Sequence, residues 1–454
     1  MFFTIYNART IFLVISEMIF ICLIFVATSI NGMFAQSSGL SLYLGKALSA
    51  AAIIQASFYL HDLYDLNTFN NRLVRRTISS LLLASVIIIP VYWFFPSLKL
   101  TPVLWFFSAV LVLSLSYSWR ILVKILDKPF RSSMLIIGTS DMAISIAEEI
   151  RNRPALGIQV YGFLGEDRSM SRKTITDISI LGTLEDLESL VARYKIDHIL
   201  VTLQDRRGHL PVKRLLDLKL QGVAIEEGAS FFERILGKLP VEELNPSYLV
   251  FSTGFKVSRL KLIYKRIFSI IFSIIGLIIS APVMLLTAIA IKLESPGPIL
   301  FLQERVGEEG RIFKLIKFRS MYVDAEAHTG PVWARTNDPR ITRVGRFIRR
   351  MRIDELPQFI NVLKGDMHFV GPRPERSYFV KQLEKIIPYY GQRHTVKPGI
   401  TGWAQIKYPY GATIEEACEK LKYDLYYIKN LSLPLDLWII FQTIKIVLVG
   451  RGAR

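Results

Sequence analysis

The sequence is poor in cysteine, poor in charge and, among its charges, poor in acid. Only Cys22 and Cys418 occur in 454 residues, the first inside an apolar run. Two such thiols exclude an intrachain disulfide framework, a zinc knuckle or a redox pair, and they fit a reducing, cytoplasm-facing setting. Charged residues make up 21% of the chain against 51% hydrophobic, and the mean hydropathy is +0.35. That balance excludes a disordered or fibrous protein and places part of the chain in lipid. Length alone suggests about three domains of roughly 150 residues each. The shortage of acid is local: of the net charge of +18, +15 falls on residues 256–454.

What the sequence has in place of charge is long apolar runs. Four occupy the first quarter, at residues 11–30, 40–60, 78–95 and 103–119. Each approaches the ~20 residues needed to cross a ~30 Å hydrocarbon core, so four transmembrane helices are expected. The first run is longer than the apolar stretch of a signal peptide. Arg72, Arg75 and Arg76 follow the second run, and Arg120, Lys124, Lys128 and Arg131 follow the fourth, whereas residues 31–39 are uncharged and the turn near Ser97 has only Lys99. Positive charge stays inside, so both ends of this four-helix unit are expected in the cytoplasm.

A fifth run, residues 267–291, is uncharged but has cations on both sides: Lys256, Arg259, Lys261, Lys265 and Arg266 before it, and Lys292, Arg305 and Arg311 after it. Both flanks ask to stay inside. Ser280-Ala281-Pro282 lies near its middle, and a proline that removes one helical hydrogen bond is a natural bend point. The expectation is a re-entrant membrane hairpin broken at Ser280 and Pro282. The plainer reading is a fifth span that tolerates a proline.

Between these membrane segments, residues 131–255 read as a Rossmann-like domain. Strands are expected at 133–138, 160–164, 198–203 and 223–225, alternating with helices after 138, at 184–194 and near 211–221. The turn Gly138-Thr139-Ser140-Asp141-Met142-Ala143 occupies the place of a dinucleotide fingerprint, but Ser140 stands where bare backbone must approach a pyrophosphate. A structural or regulatory domain is therefore favoured over a cofactor site.

The polar groups concentrate in residues 256–454. Ser295-Pro296-Gly297-Pro298 ends the fifth run abruptly, and residues 313–321 alternate cations with apolar side chains as a half-buried strand does. Next come Arg335, Arg340, Arg343, Arg346, Arg349, Arg350 and Arg352, whose spacing of three aligns guanidinium groups along a helix. Such a strip suits phosphate, an anionic membrane, a nucleic-acid groove or plain solvent. Asp354-Glu355 follows at once among apolar neighbours, a pair able to attack phosphorus or to hold Mg²⁺ on a diphosphate. Arg373 is fixed between Pro372 and Pro374, Asp424 and Asp436 stand alone in apolar or aromatic helices, and residues 435–449 could lie in the membrane plane.

Long ordered strings carry a resemblance: SPGP at 295–298, KFRSM at 317–321, DPRITRVGRFIRR at 338–350, DELPQFINVLKGDM at 354–367, GPRPE at 371–375 and VKPGITGWAQI at 396–406. In these the chain resembles bacterial polyprenyl-phosphate hexose-1-phosphate transferases, the large form that starts exopolysaccharide or capsule synthesis. It departs from them at Ala281, where Ser-Pro is usual and the serine is shifted to Ser280. The resemblance implies that Asp354 attacks the sugar-linked phosphate of a UDP-sugar, expelling UMP, and that undecaprenyl phosphate then takes the phosphosugar. It implies Mg²⁺, with Asp354 and Glu355 as ligands and Glu355 alternatively an acid/base partner. Lys317, Arg373, Asp424 and Asp436 match the remaining polar site positions, and Arg319 and Arg346 join them as candidate phosphate contacts. The expected fold is thus an integral membrane α plus α/β protein. Its divisions are four transmembrane helices in 1–130, the Rossmann-like domain in 131–255, and the re-entrant helix with a mainly helical catalytic domain in 256–454. The expected partners are a UDP-sugar, undecaprenyl phosphate, the bilayer and a possible second copy as homodimer, without nucleic acid. The expected place is the bacterial inner membrane, with catalysis on the cytoplasmic face. The competing reading is a non-catalytic scaffold or nucleotide sensor.

Overall fold

The computed structural model describes residues 8–33, 40–64, 73–126, 132–165, 174–175, 177–203, 210–243, 252, 254–255, 258–323, 325, 338–408 and 413–449. Arg72, Lys128, Arg131, Lys256 and Arg335, and the side chain of Lys124, lie outside them. The chain forms two compact units, Met1–Phe231 and Phe232–Arg454.

The first unit opens with four helices, α1 (Ala8–Met33), α2 (Leu40–Leu60), α3 (Leu73–Phe94) and α4 (Pro102–Leu126), one on each of the four apolar runs. Among the described residues of this unit, α3 and the Pro102–Leu122 part of α4 are long and apolar enough to cross a membrane, while α1 and α2 contribute the shorter apolar stretches Ile11–Ala27 and Leu44–Leu60. Leu13, Ile21, Phe25, Ala47, Ala51, Ile54, Phe58 and Val112 form the shared core. Glu17 and Arg120 are also buried there, paired at 2.7 Å.

The sheet follows. Its elements are β1 (Ser132–Ile137), α5 (Asp141–Asn152), β2 (Ile158–Gly165), β3 (Thr174–Ile175), β4 (Ile178–Thr183), α6 (Leu187–Tyr194), β5 (His198–Val201), α7 (Val212–Leu220), β6 (Ala224–Glu227) and α8 (Gly228–Leu236). Strand order is β3-β4-β2-β1-β5-β6, parallel except for β3. The five parallel strands have the order of a Rossmann-type sheet. Central β1 buries Met134 to Ile137 completely, as a parallel strand covered on both faces must. The expected fingerprint turn is used for packing. Gly138 has φ +104°, and a Cβ there would come within 2.7 Å of Thr202 Oγ1. Ser140 caps α5, its hydroxyl accepting from Ala143 N–H. The serine that spoils the fingerprint thus satisfies one of the helix's open donors.

The second unit is mainly helical. It contains α9 (Arg259–Glu294), the hairpin β7 (Leu300–Val306) and β8 (Ile312–Phe318), α10 (Arg343–Arg350), α11 (Gln358–Lys364), β9 (His368–Val370), α12 (Ser377–Ile386), β10 (Gly399–Thr401), α13 (Trp403–Lys407), α14 (Ile414–Lys429) and α15 (Leu433–Val449). The expected break at Ser280 and Pro282 does not interrupt the helix, which runs on with Pro282 inside it. Ser280 donates to the Gly276 carbonyl at 2.6 Å, not to that of Ile278, which the proline leaves without its donor.

One side of α9 is held by the other elements of this unit along almost its full length. Lys265 pairs with Asp436 at 2.6 Å, Ser269 receives the Phe369 N–H, and Gly276 lies against Phe359. Further along, Met284, Ala288 and Ile291 pack with Phe318 and Ile348, and the Glu294 carboxylate accepts from Val344 N–H. The other side is bare and apolar, with Ile271, Ile278, Leu285, Leu286, Ile289 and Leu293 exposed.

Candidate active site

Asp354 and Glu355 sit on a single 3-10 turn, Ile353–Glu355, between α10 and α11. Arg352, which opens the turn, holds the left-handed conformation at φ +58°, uncommon for a residue with a side chain. Asn361 of α11 fastens this turn to the strand carrying Lys317: its Oδ1 accepts from Ile316 N–H at 2.9 Å and its Nδ2 donates to Lys314 O at 2.8 Å. Short β9–β10 pairing brings in the third segment. Gly371 must be glycine there, since a Cβ would lie 2.6 Å from the Lys397 carbonyl.

These segments enclose a cavity of about 420 Å³ whose wall includes Lys317, Arg349, Arg352, Asp354, Arg373, Arg393 and Asp424. Ten lysine and arginine side chains line it against three carboxylates, which suits a ligand with several negative charges. Glu355 is already taken: Arg373 Nη2 reaches it at 2.5 Å, Lys317 Nζ at 3.4 Å and Arg352 Nη1 at 3.7 Å. Burial disfavours its charge, but Arg373, Lys317 and Arg352 outweigh that and hold it well below the usual carboxylate range. For Asp354, burial and the adjacent Glu355 charge outweigh Lys317, Arg349 and Arg373, and push the carboxyl up to about 6. Burial, with Arg373 and Arg305 nearby, lowers Lys317 against the pull of Glu355 and Asp354.

The other expected site residues divide. Arg373 and Lys317 converge on Glu355 as above. Arg319 reaches the cavity wall, but its guanidinium donates to Ser295 O and Pro296 O at 2.8 Å and so clamps the turn after α9. Asp424 is buried at the wall and holds Arg393 at 2.8 Å; Arg393 in turn donates to the Arg373 carbonyl at 2.9 Å. Asp436 lies outside the cavity, buried between Lys265 and Tyr427. Arg346 is exposed on α10 and also outside the cavity. Ser280 and Pro282 belong to α9 and do not line it. Sequence reasoning missed Arg393 as a site residue because no spacing pattern marks it. It treated Arg305 as a flanking charge, although Arg305 holds Glu375 at 3.3 Å on the wall.

Residues 260–450 match the family described as bacterial sugar transferase, and residues 59–218 match a CoA-binding domain. A UDP-glucose:undecaprenyl-phosphate glucose-1-phosphate transferase of Klebsiella pneumoniae is 36% identical over 70% of this chain and 68% of its own length. The chain belongs to the bacterial sugar transferase family. The exopolysaccharide production protein PSS of Rhizobium leguminosarum bv. phaseoli is 43% identical over 42% of this chain and 98% of that protein. A UDP-N-acetylgalactosamine-undecaprenyl-phosphate N-acetylgalactosaminephosphotransferase of Aeromonas hydrophila is 47% identical over 49% of this chain and 52% of its own. The matched segments span between about half and two thirds of the first curated relatives, at 52%, 59% and 66% of their lengths. All the motifs quoted above, and the Asp354 turn with them, fall inside the bacterial sugar transferase match.

Proposed function

We propose that this protein transfers a hexose-1-phosphate from a UDP-sugar to undecaprenyl phosphate, as the first membrane step of exopolysaccharide or capsule synthesis. The observation that carries the reading is a carboxylate left over: Glu355 is saturated by three cations, while Asp354 faces a cationic cavity. An Asp354 oxygen attacks the sugar-linked phosphorus, the bond from that phosphorus to the bridging oxygen breaks, and UMP leaves with the electron pair. The lipid phosphate oxygen then attacks the same phosphorus, the acyl-phosphate bond breaks, and the carboxylate is restored. Arg373 and Lys317, pre-set by Glu355, meet charge that builds on the transferring phosphoryl group.

The residues present fit magnesium only as an ion shared with substrate. Among the described residues no group of three His, Cys, Asp or Glu side chains could cage a metal. Magnesium commonly takes one or two carboxylates plus substrate phosphates. Asp354 is the better-placed ligand, since Arg373 and Lys317 occupy Glu355. When bound, the ion would neutralise diphosphate charge.

The membrane placement proposed is four spans in residues 1–130, the sheet domain in 131–255, and α9 re-entrant on the cytoplasmic face of the inner membrane. The contacts of α9 support the last point. From Lys265 to Glu294 is roughly 43 Å of helix, more than the ~30 Å bilayer core. The same polar domain touches both ends, which a helix crossing to the far side would not allow.

Incubation with UDP-hexose radiolabelled in the sugar, without lipid acceptor, should release UMP and leave covalent label on the protein, and Asp354→Asn should abolish both. Release of UDP, or full transfer by the Asn variant, would overturn the reading.

A further inference from the structure

Six arginines crowd residues 340–352, with no acid from 339 to 353, and the structure separates them into two sets. Arg340, Arg349 and Arg352 line the cavity; Arg343, Arg346 and Arg350 do not. At about 100° per residue, Arg343, Arg346, Phe347 and Arg350 share one arc of α10 roughly 100° wide. Val344 and Ile348 face α9, and Gly345 packs on the Ser320 backbone, so the arc points away from both. Phe347 is 61% exposed, and the three arginines are exposed without a side-chain partner among the described residues.

A large exposed ring among unpaired cations is a poor solvent face and a good interfacial one. The arc also lies beside lipid-suited surface: Ile348 packs on Ile291 at the end of α9 where Leu286, Ile289 and Leu293 are bare. We propose that this arc docks on the anionic headgroup layer of the bilayer, Phe347 entering the interface and Arg343, Arg346 and Arg350 pairing with lipid phosphates. The arginine strip then has two jobs, one set for the substrate and one for the membrane surface. The inference rests on the membrane transferase reading above. Cations near an anionic surface strengthen attraction by about fivefold each and lose the effect in high salt.

The test uses the full chain with Cys22→Ser and Cys418→Ser, a bimane label on Phe347→Cys, and nanodiscs of phosphatidylcholine with or without phosphatidylglycerol. With phosphatidylglycerol the label should shift to the blue and be quenched by doxyl lipids. Arg343→Gln with Arg350→Gln should lose most of that shift, as should high salt, and Lys at both positions should restore it. Transfer to undecaprenyl phosphate should fall about tenfold or more in the Gln pair on anionic nanodiscs, with UMP release in the absence of acceptor within about twofold. A label that stays water-exposed on anionic nanodiscs overturns the proposal. So does a Gln pair that keeps the full shift, which would mean that Phe347 enters the interface without pairing of Arg343 and Arg350 to lipid phosphates. Loss of UMP release alone would assign these arginines to the cavity. The fluorescence readout needs no turnover, so its failure is distinct from failure of the transferase reading.

Discussion

Two buried carboxylate–arginine clusters in this chain use the same groups toward opposite ends. In the helix bundle, Arg120 meets Glu17 with two parallel hydrogen bonds of 2.7 Å, gives a third nitrogen to the Leu63 carbonyl, and lies over the Phe58 and Tyr64 rings. Both side chains are 1% exposed, and the two charges balance within the pair. At the cavity, Glu355 takes three cations, yet Arg349 and Asp354 also stand on the wall. A closed pair is a structural element; a cluster with charge left over on an open wall is a place for a ligand. Burial alone does not tell them apart.

The largest effect should come from the leftover acid. Asp354→Asn should lower transfer by at least about 10³-fold, as removal of a nucleophile does, while leaving the protein folded. It should even stabilise it. A carboxyl raised to about 6 ionises first in the unfolded chain, so native stability falls as pH rises from the usual carboxylate range through 6, and the Asn variant escapes that loss. Thermal melts at pH 7 that rank Asn below wild type would break this half of the comparison.

Next is the closed pair. Arg120→Leu strands a buried carboxylate and should cost about 3–5 kcal/mol, seen as lost yield and a lower melting temperature. UMP release per folded molecule should stay within about twofold. A folded Arg120→Leu protein without activity would show that the bundle serves the reaction directly.

Glu355→Gln should act between these extremes. Arg373 and Lys317 lose the anion that sets them, so transfer should fall about 10²-fold with covalent labelling slowed, and Asp354 should titrate lower once the adjacent charge is gone. The wild-type labelling rate should therefore drop below about pH 6, and the Glu355→Gln profile should break at lower pH. Coincident profiles would mean that Glu355 does not govern Asp354.

The acid pair, the cations around it and the alternation of strands and helices were legible because local spacing carries them. Asp424 and Asp436 were not separable. Each is a lone acid in an apolar or aromatic stretch, and only the fold reveals that one meets Arg393, 31 residues away, at the cavity while the other meets Lys265, 171 residues away, outside it. Arg346 and Arg349 likewise share a spacing of three, but the net offset of about 60° around the helix is enough to leave one in solvent and bring the other to the wall. Helix α9 runs through Pro282 because one lost hydrogen bond does not outweigh the packing on either side of it, at Gly276 and at Met284, Ala288 and Ile291.

The smallest effect tests the glycine turn of the sheet domain. Ser140 caps α5 through Ala143 N–H, and Gly138 exists to clear Thr202. Ser140→Ala should therefore cost about 1 kcal/mol, whereas Ser140→Gly, which completes the fingerprint spacing, should cost only a few tenths. If the turn is only a cap, neither variant alters sugar-phosphate transfer, and the glycine form gains no affinity for a dinucleotide by calorimetry. A change in transfer rate matched by a gain in nucleotide binding would move this turn from the closed class, where Arg120 belongs, to the open class of Asp354.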